Sequence, residues 1–128
     1  MSVAYVDTSC LVAIAFNEAG ARSLARKLEA YEQRCSADLL EAEFRSALRR
    51  EGVEGGQEFL DTMTWVLPDR RLTAEIDRVL TARQVRGADL WHLACALYLA
   101  ESPGDIDFVT LDAAQRDAAA ALGFRTPI

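Results

Sequence analysis

The spacing of apolar positions changes several times along the chain, and each change predicts an element. Residues 3–6, Val-Ala-Tyr-Val, are apolar without alternation, the pattern of a strand buried on both faces. Residues 11–16 are apolar again and read as a buried helix. Between them stand Asp7, Thr8 and Ser9, a charge and two hydroxyls interrupting the apolar run. A helix over 18–32 carries Ala21, Leu24, Ala25 and Leu28 on one face and Arg22, Arg26, Lys27 and Glu29 on the other. Residues 34–37 read as a connector, or as a strand of two or three residues. A second amphipathic helix spans 38–50, with Leu40, Phe44, Ala47 and Leu48 as its stripe. Asp38 and Glu41 at its start have the spacing of a capping box.

Gly52, Gly55 and Gly56 break the chain. A short helix over 57–64 turns Phe59, Leu60 and Met63 inward. A brief strand or turn at 65–67 stops at Pro68. Thr73 is placed to cap a helix that ends at 83 or 85 and buries Ile76, Val79 and Leu80. Residues 90–100 are apolar nearly all round, so this helix is central and covered on most sides. Asp89 opens it. A strand follows at 106–110. Asp112 and Gln115 again have capping-box spacing before a helix over 113–122, which Gly123 ends. Residues 124–126 read as a last strand.

Strands and helices alternate with no linker, repeat or low-complexity segment. That order predicts an α/β fold, with a short central parallel sheet and helices on both faces. At 128 residues the chain reads as one domain, 1–128, large enough for a true core. Half of it is hydrophobic, which excludes disorder. No apolar run approaches a membrane span, and the N-terminus lacks the features of a secretory signal. The three cysteines have no Cys-x-x-Cys spacing. Cys10 and Cys95, in apolar surroundings, read as buried thiols of a cytoplasmic protein, and the spacing argues against structural zinc.

The net charge of −6 excludes a passive, basic nucleic-acid coat. The individual positions of the acids are more informative. Asp7 and Asp112 each follow a strand, and open parallel sheets place their ligand crevice at the carboxyl ends of the strands. Asp89 begins the central helix. Each of these three would also serve as an ordinary helix cap. Glu41 has Arg45 at i+4, so an ion pair accounts for it. Glu43 has no basic neighbour on its own helix and lies within about 60° of the line through Leu40. At the margin of the core it needs a partner from elsewhere, or a cation, unless it is a plain rim residue.

If the four acids converge, two carboxylates about 5 Å apart repel by ~3 kcal/mol at an effective dielectric near 20. Four ionised together need a counter-charge. An all-oxygen set selects a hard ion, Mg²⁺ or Mn²⁺ rather than zinc. Such a site can activate water and stabilise charge on a phosphate. Ser9 and Thr110 each lie two residues from an acid. Their hydroxyls either orient carboxylates or are ordinary turn residues. His92 reads as a packed helix histidine, because the chain has no second His to share a metal.

The run Tyr5-Val6-Asp7-Thr8-Ser9, Ser36 with Glu43 seven residues on, Ala88-Asp89-Leu90-Trp91-His92-Leu93-Ala94, and Val109-Thr110-Leu111-Asp112 together resemble PIN-domain ribonucleases. Within them the chain looks most like VapC-type toxins of toxin–antitoxin pairs. The resemblance covers essentially the whole chain, in order. It implies a three-layer PIN-like fold and a Mg²⁺- or Mn²⁺-dependent endoribonuclease. It carries metal binding and catalysis onto Asp7, Glu43, Asp89 and Asp112, and polar support onto Ser9 and Thr110. It further implies a homodimer and a small antitoxin that binds over the site. Asp107, inside the last acid-bearing strand, departs from the pattern unless the strand starts at Phe108.

A haloacid-dehalogenase-like phosphatase would want an Asp at position 9, which is Ser9. A receiver domain would want a Lys after a late strand, and the single Lys is Lys27. No glycine-rich nucleotide loop is present. The closer alternatives are a PIN-fold RNA-processing nuclease without an antitoxin and a non-catalytic RNA- or protein-binding module. The arginines Arg45, Arg49, Arg50, Arg70, Arg71, Arg83 and Arg86 are either candidates for RNA-backbone contact, with Arg50 and Arg86 foremost, or ordinary solvated and ion-paired side chains.

Overall fold

β1 (Val3–Val6) is the axis of the fold in the computed structural model, which describes residues 2–128. β2 (Gln33–Ala37), β3 (Thr64–Val66) and β4 (Asp107–Val109) join it in one sheet of order β3-β2-β1-β4. All three pairings are parallel, with Tyr5 opposite Cys35 on one side and Phe108 on the other. Every strand therefore ends at the same edge. The connections are α1 (Thr8–Ala15), α2 (Ala21–Glu29), α3 (Leu39–Glu51), α4 (Gln57–Asp61), α5 (Thr73–Ala82), α6 (Gly87–Leu99) and α7 (Ala113–Ala121).

The side-chain period of β1 divides the core in two. Tyr5, with Cys35, Ala37 and Phe108 from the neighbouring strands, faces a cluster that includes Val79, Leu93 to Leu97, Ala118 and Leu122 from α5, α6 and the α7 region. Ala4 and Val6, with Val109, face Cys10, Leu11, Leu24, Leu28, Leu40, Phe44 and Leu60 from α1 to α4. These are the three layers of the expected α/β architecture, a parallel sheet between two helical layers. Among the described residues no helix is long and apolar enough to cross a membrane.

Several boundaries differ from the sequence reading. The helix expected over 18–32 is shorter, because Gly20 adopts φ +82° and α2 starts after it. The supposed connector at 34–37 is a five-residue strand beside β1. Its polar composition conceals it: Arg34 turns its guanidinium to the carbonyls of Leu28 and Tyr31 beyond the end of α2, and Ser36 donates to the Val6 carbonyl. The capping box at Asp38 is not made, since Asp38 itself has helical dihedrals and its side chain accepts no cap bond. Glu41 does pair with Arg45, at 2.7 Å.

The helix expected to 64 ends at Asp61, which frees Thr64 for β3. Thr73 is the first residue of α5 and makes no cap bond. On that helix Val79 is buried, Ile76 is half-buried and Leu80 is exposed. β4 begins at Asp107 rather than Phe108, and the last strand reduces to one bridge between Asp107 and Arg125. Asp107 is tied there by Tyr31, at 2.5 Å, and Arg125, at 2.6 Å. It belongs to the edge opposite the strand ends.

Candidate active site

Parallel pairing brings the ends of β1 and β4 side by side, and the Asp7 amide extends that ladder to the Val109 carbonyl at 2.9 Å. Asp7 is buried at the turn into α1. Its Oδ2 accepts from the Ser9 amide, the Ser9 hydroxyl at 2.7 Å and the Thr110 hydroxyl at 2.9 Å. The capping role and the functional placement thus coincide: Asp7 caps α1 and stands at the sheet edge. Its Oδ1 accepts no bond, yet it is not among the fully buried unpartnered atoms of the described residues. That oxygen is open.

The two hydroxyls also link the strand ends to one another. Ser9 Oγ accepts from the Leu111 amide, and Thr110 Oγ1 accepts from the Asp112 amide. Asp112 caps α7 by accepting from the Gln115 amide on Oδ1, at 3.0 Å. Only half of the expected capping box exists. The Gln115 side chain instead donates to the Asp89 carbonyl, at 3.1 Å, and so ties the first turn of α6 to α7. Arg116 donates to the Thr110 carbonyl and to Ile128, holding the loop from behind.

Asp89 is the third residue of α6, whose N-cap is Arg86. Burial pushes its carboxyl up, and the charges of Asp7, Asp112 and, less strongly, Glu43 push in the same direction. Asp89 therefore lies within reach of the other three acids. Among the described residues none of Asp7, Asp89 or Asp112 forms an ion pair with a base.

Glu43, half-exposed on α3, has the partner that its own helix lacks. Its Oε1 lies 2.7 Å from His92 Nε2 and accepts from the Thr8 hydroxyl at 2.7 Å. The His92 hydrogen bond, aided by Thr8, holds the Glu43 carboxyl below its ordinary value against the opposing effect of burial. His92 is indeed packed, as its sequence setting predicts, and it also reaches the site. The sequence reading did not assign that contact, nor site roles to Tyr5, Thr8 and Arg116, and it gave Gln115 only a capping role. Thr8, beside Asp7, and Gln115, at capping-box spacing from Asp112, were the ones with a local signal. Arg50 pairs with its neighbour Glu51, while Arg86 is exposed beside Asp89 with no ion pair among the described residues.

Asp7, Glu43 and Asp112 each commit one oxygen to protein donors and leave the other unengaged. These hard oxygen donors, with no basic residue neutralising three of the four, suit a divalent cation of the Mg²⁺ or Mn²⁺ class. The set is not closed into a cage: among the described residues no three His, Cys, Asp or Glu side chains stand close enough to hold an ion. The PIN domain family matches residues 4–121 of the chain. No curated protein and no solved structure gave a significant match.

Proposed function

Because this chain belongs to the PIN domain family, whose members are generally nucleases, we propose that it hydrolyses RNA phosphodiester bonds at the carboxylate edge, with a divalent cation. The observation that carries this reading is the gathering of acids at one sheet edge: Thr110 joins Asp7 to Asp112, Gln115 ties the turn of Asp89 to the same place, burial and then the charges of Asp7 and Asp112 push the Asp89 carboxyl up, and no base pairs with the three aspartates. An uncompensated cluster of that kind costs stability and is retained for a cation or a proton.

In this reading Asp7, Asp112 and Glu43, each with one oxygen unengaged, are the residues that would hold the ion, with Asp89 as the fourth acid. A bound Mg²⁺ or Mn²⁺ would lower the pKa of a coordinated water and stabilise charge on the phosphate. The chain's own residues set up that chemistry. Ser9 and Thr110 fix the Asp7 carboxylate by two hydroxyl bonds. Thr110 also holds the Asp112 amide, so the two strand-end acids keep a fixed spacing. Gln115 fixes the turn that presents Asp89. Arg86, exposed at the start of the same helix, is the candidate for a contact with the RNA backbone.

The reading extends to a VapC-type toxin with a small cognate antitoxin and a homodimeric state. It rests on the order of the motifs and the length of chain they occupy. A PIN-fold processing nuclease without an antitoxin would use the same site.

The test is cleavage of total bacterial RNA by purified protein in Mg²⁺, in Mn²⁺ and in chelator, beside Asp7→Asn. Discrete metal-dependent fragments that are absent from the variant are expected. Cleavage that persists in chelator, or in Asp7→Asn, overturns the site.

A further inference from the structure

We propose that Tyr5 and His92 form a positioning relay that locks one oxygen of Glu43 inward and leaves only Oε2 for the carboxylate edge. The inference rests on the site reading above and assigns a function to two buried residues it does not use.

The relay begins where the structure is least able to move. Tyr5 is fully buried on β1, its ring stacked on Phe108 with centroids 5.2 Å apart and an interplanar angle of 11°. Its hydroxyl accepts from the Ala37 amide at 3.0 Å and lies 2.7 Å from His92 Nδ1. His92 is 1% exposed, with its ring edge-on to Tyr5. Its Nε2 meets Glu43 Oε1.

Proton counting gives the chain a direction. An ionised carboxylate only accepts, so Nε2 must carry the proton it shares with Glu43. In the neutral ring Nδ1 is then an acceptor, and the Tyr5 hydroxyl donates to it. The Ala37 amide fills an acceptor position on the same hydroxyl. Glu43 Oε1 at 2.7 Å is the nearer acceptor for the Nε2 proton, with the Thr8 hydroxyl at 3.4 Å, so this arrangement favours the Nε2–H tautomer of the neutral ring.

Glu43 receives two donors on one oxygen. Thr8, the residue after Asp7, donates to Oε1 beside His92. Oε2 accepts from no protein group among the described residues. Glutamate has three rotatable side-chain bonds and, when half-exposed, samples many rotamers. Two charge-assisted bonds to groups on α1 and α6 remove that freedom. His92 is also three residues from Asp89 on α6 and so shares its face. The relay thus sets Glu43 relative to the helix that carries Asp89, as partners of a metal-ligating carboxylate do.

A purely structural His92 would matter only for stability, and a pair of variants separates the two roles. The amide of Gln in His92→Gln reaches the position of Nε2 and can still donate to Glu43. The shorter amide in His92→Asn reaches only the position of Nδ1 and leaves Glu43 to Thr8. Both lose the ring, so both lower Tm. Mn²⁺ affinity, measured by calorimetric titration of the protein alone, and kcat on RNA should be ~10- to 100-fold lower in His92→Asn, with KM unchanged. His92→Gln should recover most of both. Equal Mn²⁺ affinity and equal kcat in the two variants overturn the relay. Should both variants fail to fold, Tyr5→Phe keeps the ring and removes the hydroxyl that fixes His92 Nδ1, and is expected to weaken Mn²⁺ binding and kcat together. Wild-type values for Tyr5→Phe overturn the relay. Cleavage that survives Asp7→Asn overturns the site and the relay together, whereas loss in Asp7→Asn with no difference among these variants overturns the relay alone.

Discussion

The hydroxyl of Thr110 donates to Oδ2 of Asp7 across 2.9 Å, joining residues 103 positions apart at the ends of the neighbouring strands β4 and β1. The same hydroxyl accepts the Asp112 amide. Thr110→Val keeps the volume and removes both bonds. Asp7 is buried, so losing a charge-assisted donor should cost about 1.5–3 kcal/mol. Thermal unfolding of Thr110→Val is expected to show that loss, and RNA cleavage should fall at least tenfold. An unchanged Tm would mean that Asp7 does not depend on this hydroxyl.

The acids have the opposite effect on stability. Asp89 has no ion-pair partner and faces the charges of Asp7, Asp112 and Glu43. In chelator at neutral pH, Asp89→Asn relieves that repulsion. It is expected to raise stability by about 1 kcal/mol after solvent screening, or ~3 °C in Tm. Saturating Mg²⁺ or Mn²⁺ should reverse the order, because the wild type then gains stability from binding and the variant gains less. Cleavage by the variant should be lost. A lower Tm for Asp89→Asn in chelator would show that the carboxylate is held by favourable contacts.

The sequence showed the layered fold and the strand-end acids for one physical reason. A charge at the end of an uninterrupted apolar run is a local signal, and Asp7 after Val3–Val6 is such a case. Gln33–Ala37 carries no such signal. The strand is central, but Arg34 and Ser36 occupy it because their polar groups are satisfied by the carbonyls of Leu28 and Tyr31 and by that of Val6. Periodicity cannot report that. Thr73 and Asp38 had the composition of caps and do not act as caps, since backbone dihedrals decide the cap position. At the site, Asp112 followed from local spacing. The contacts of Glu43 with His92 and of His92 with Tyr5 bridge 49 and 87 residues. No local pattern contains such contacts, so Glu43 could be recognised only as an acid in need of a partner.

The two arginine candidates differ in surroundings. Arg50 is paired with Glu51 at 3.3 Å, whereas Arg86 is exposed and precedes the turn that carries Asp89. Arg86→Ala is expected to weaken binding of single-stranded RNA to the uncleaving Asp7→Asn protein. It should also reduce the slope of log affinity against log salt by ~0.7, the loss of one phosphate contact. Arg50→Ala should change both by less. Equal effects from the two substitutions would remove the distinction drawn from their pairing.

The buried cysteines supply a prediction about the core. Burial, followed by the nearby charge of Asp7, pushes the Cys10 thiol up to about 12. Burial, followed by Asp38, does the same for Cys95. The thiolate is the nucleophile, so these groups should resist alkylation in the folded protein. At pH 8 a thiol of pKa about 12 is ~10³-fold less ionised than an unfolded one near 8.5. Iodoacetamide should therefore label the native protein at Cys10 and Cys95 about a thousandfold more slowly than the guanidinium-unfolded chain, read by mass. The sign for stability follows from the same shift. The folded state favours the protonated thiols, so their contribution is complete below about pH 8.5. It is lost as pH rises towards 12, at ~1.4 kcal/mol per pH unit for each thiol. Denaturant midpoints should fall over that alkaline range, and replacing Cys95 by Ala should make the fall shallower. Rapid native labelling of Cys95 would show that the face of α6 packed beneath the sheet opens to solvent.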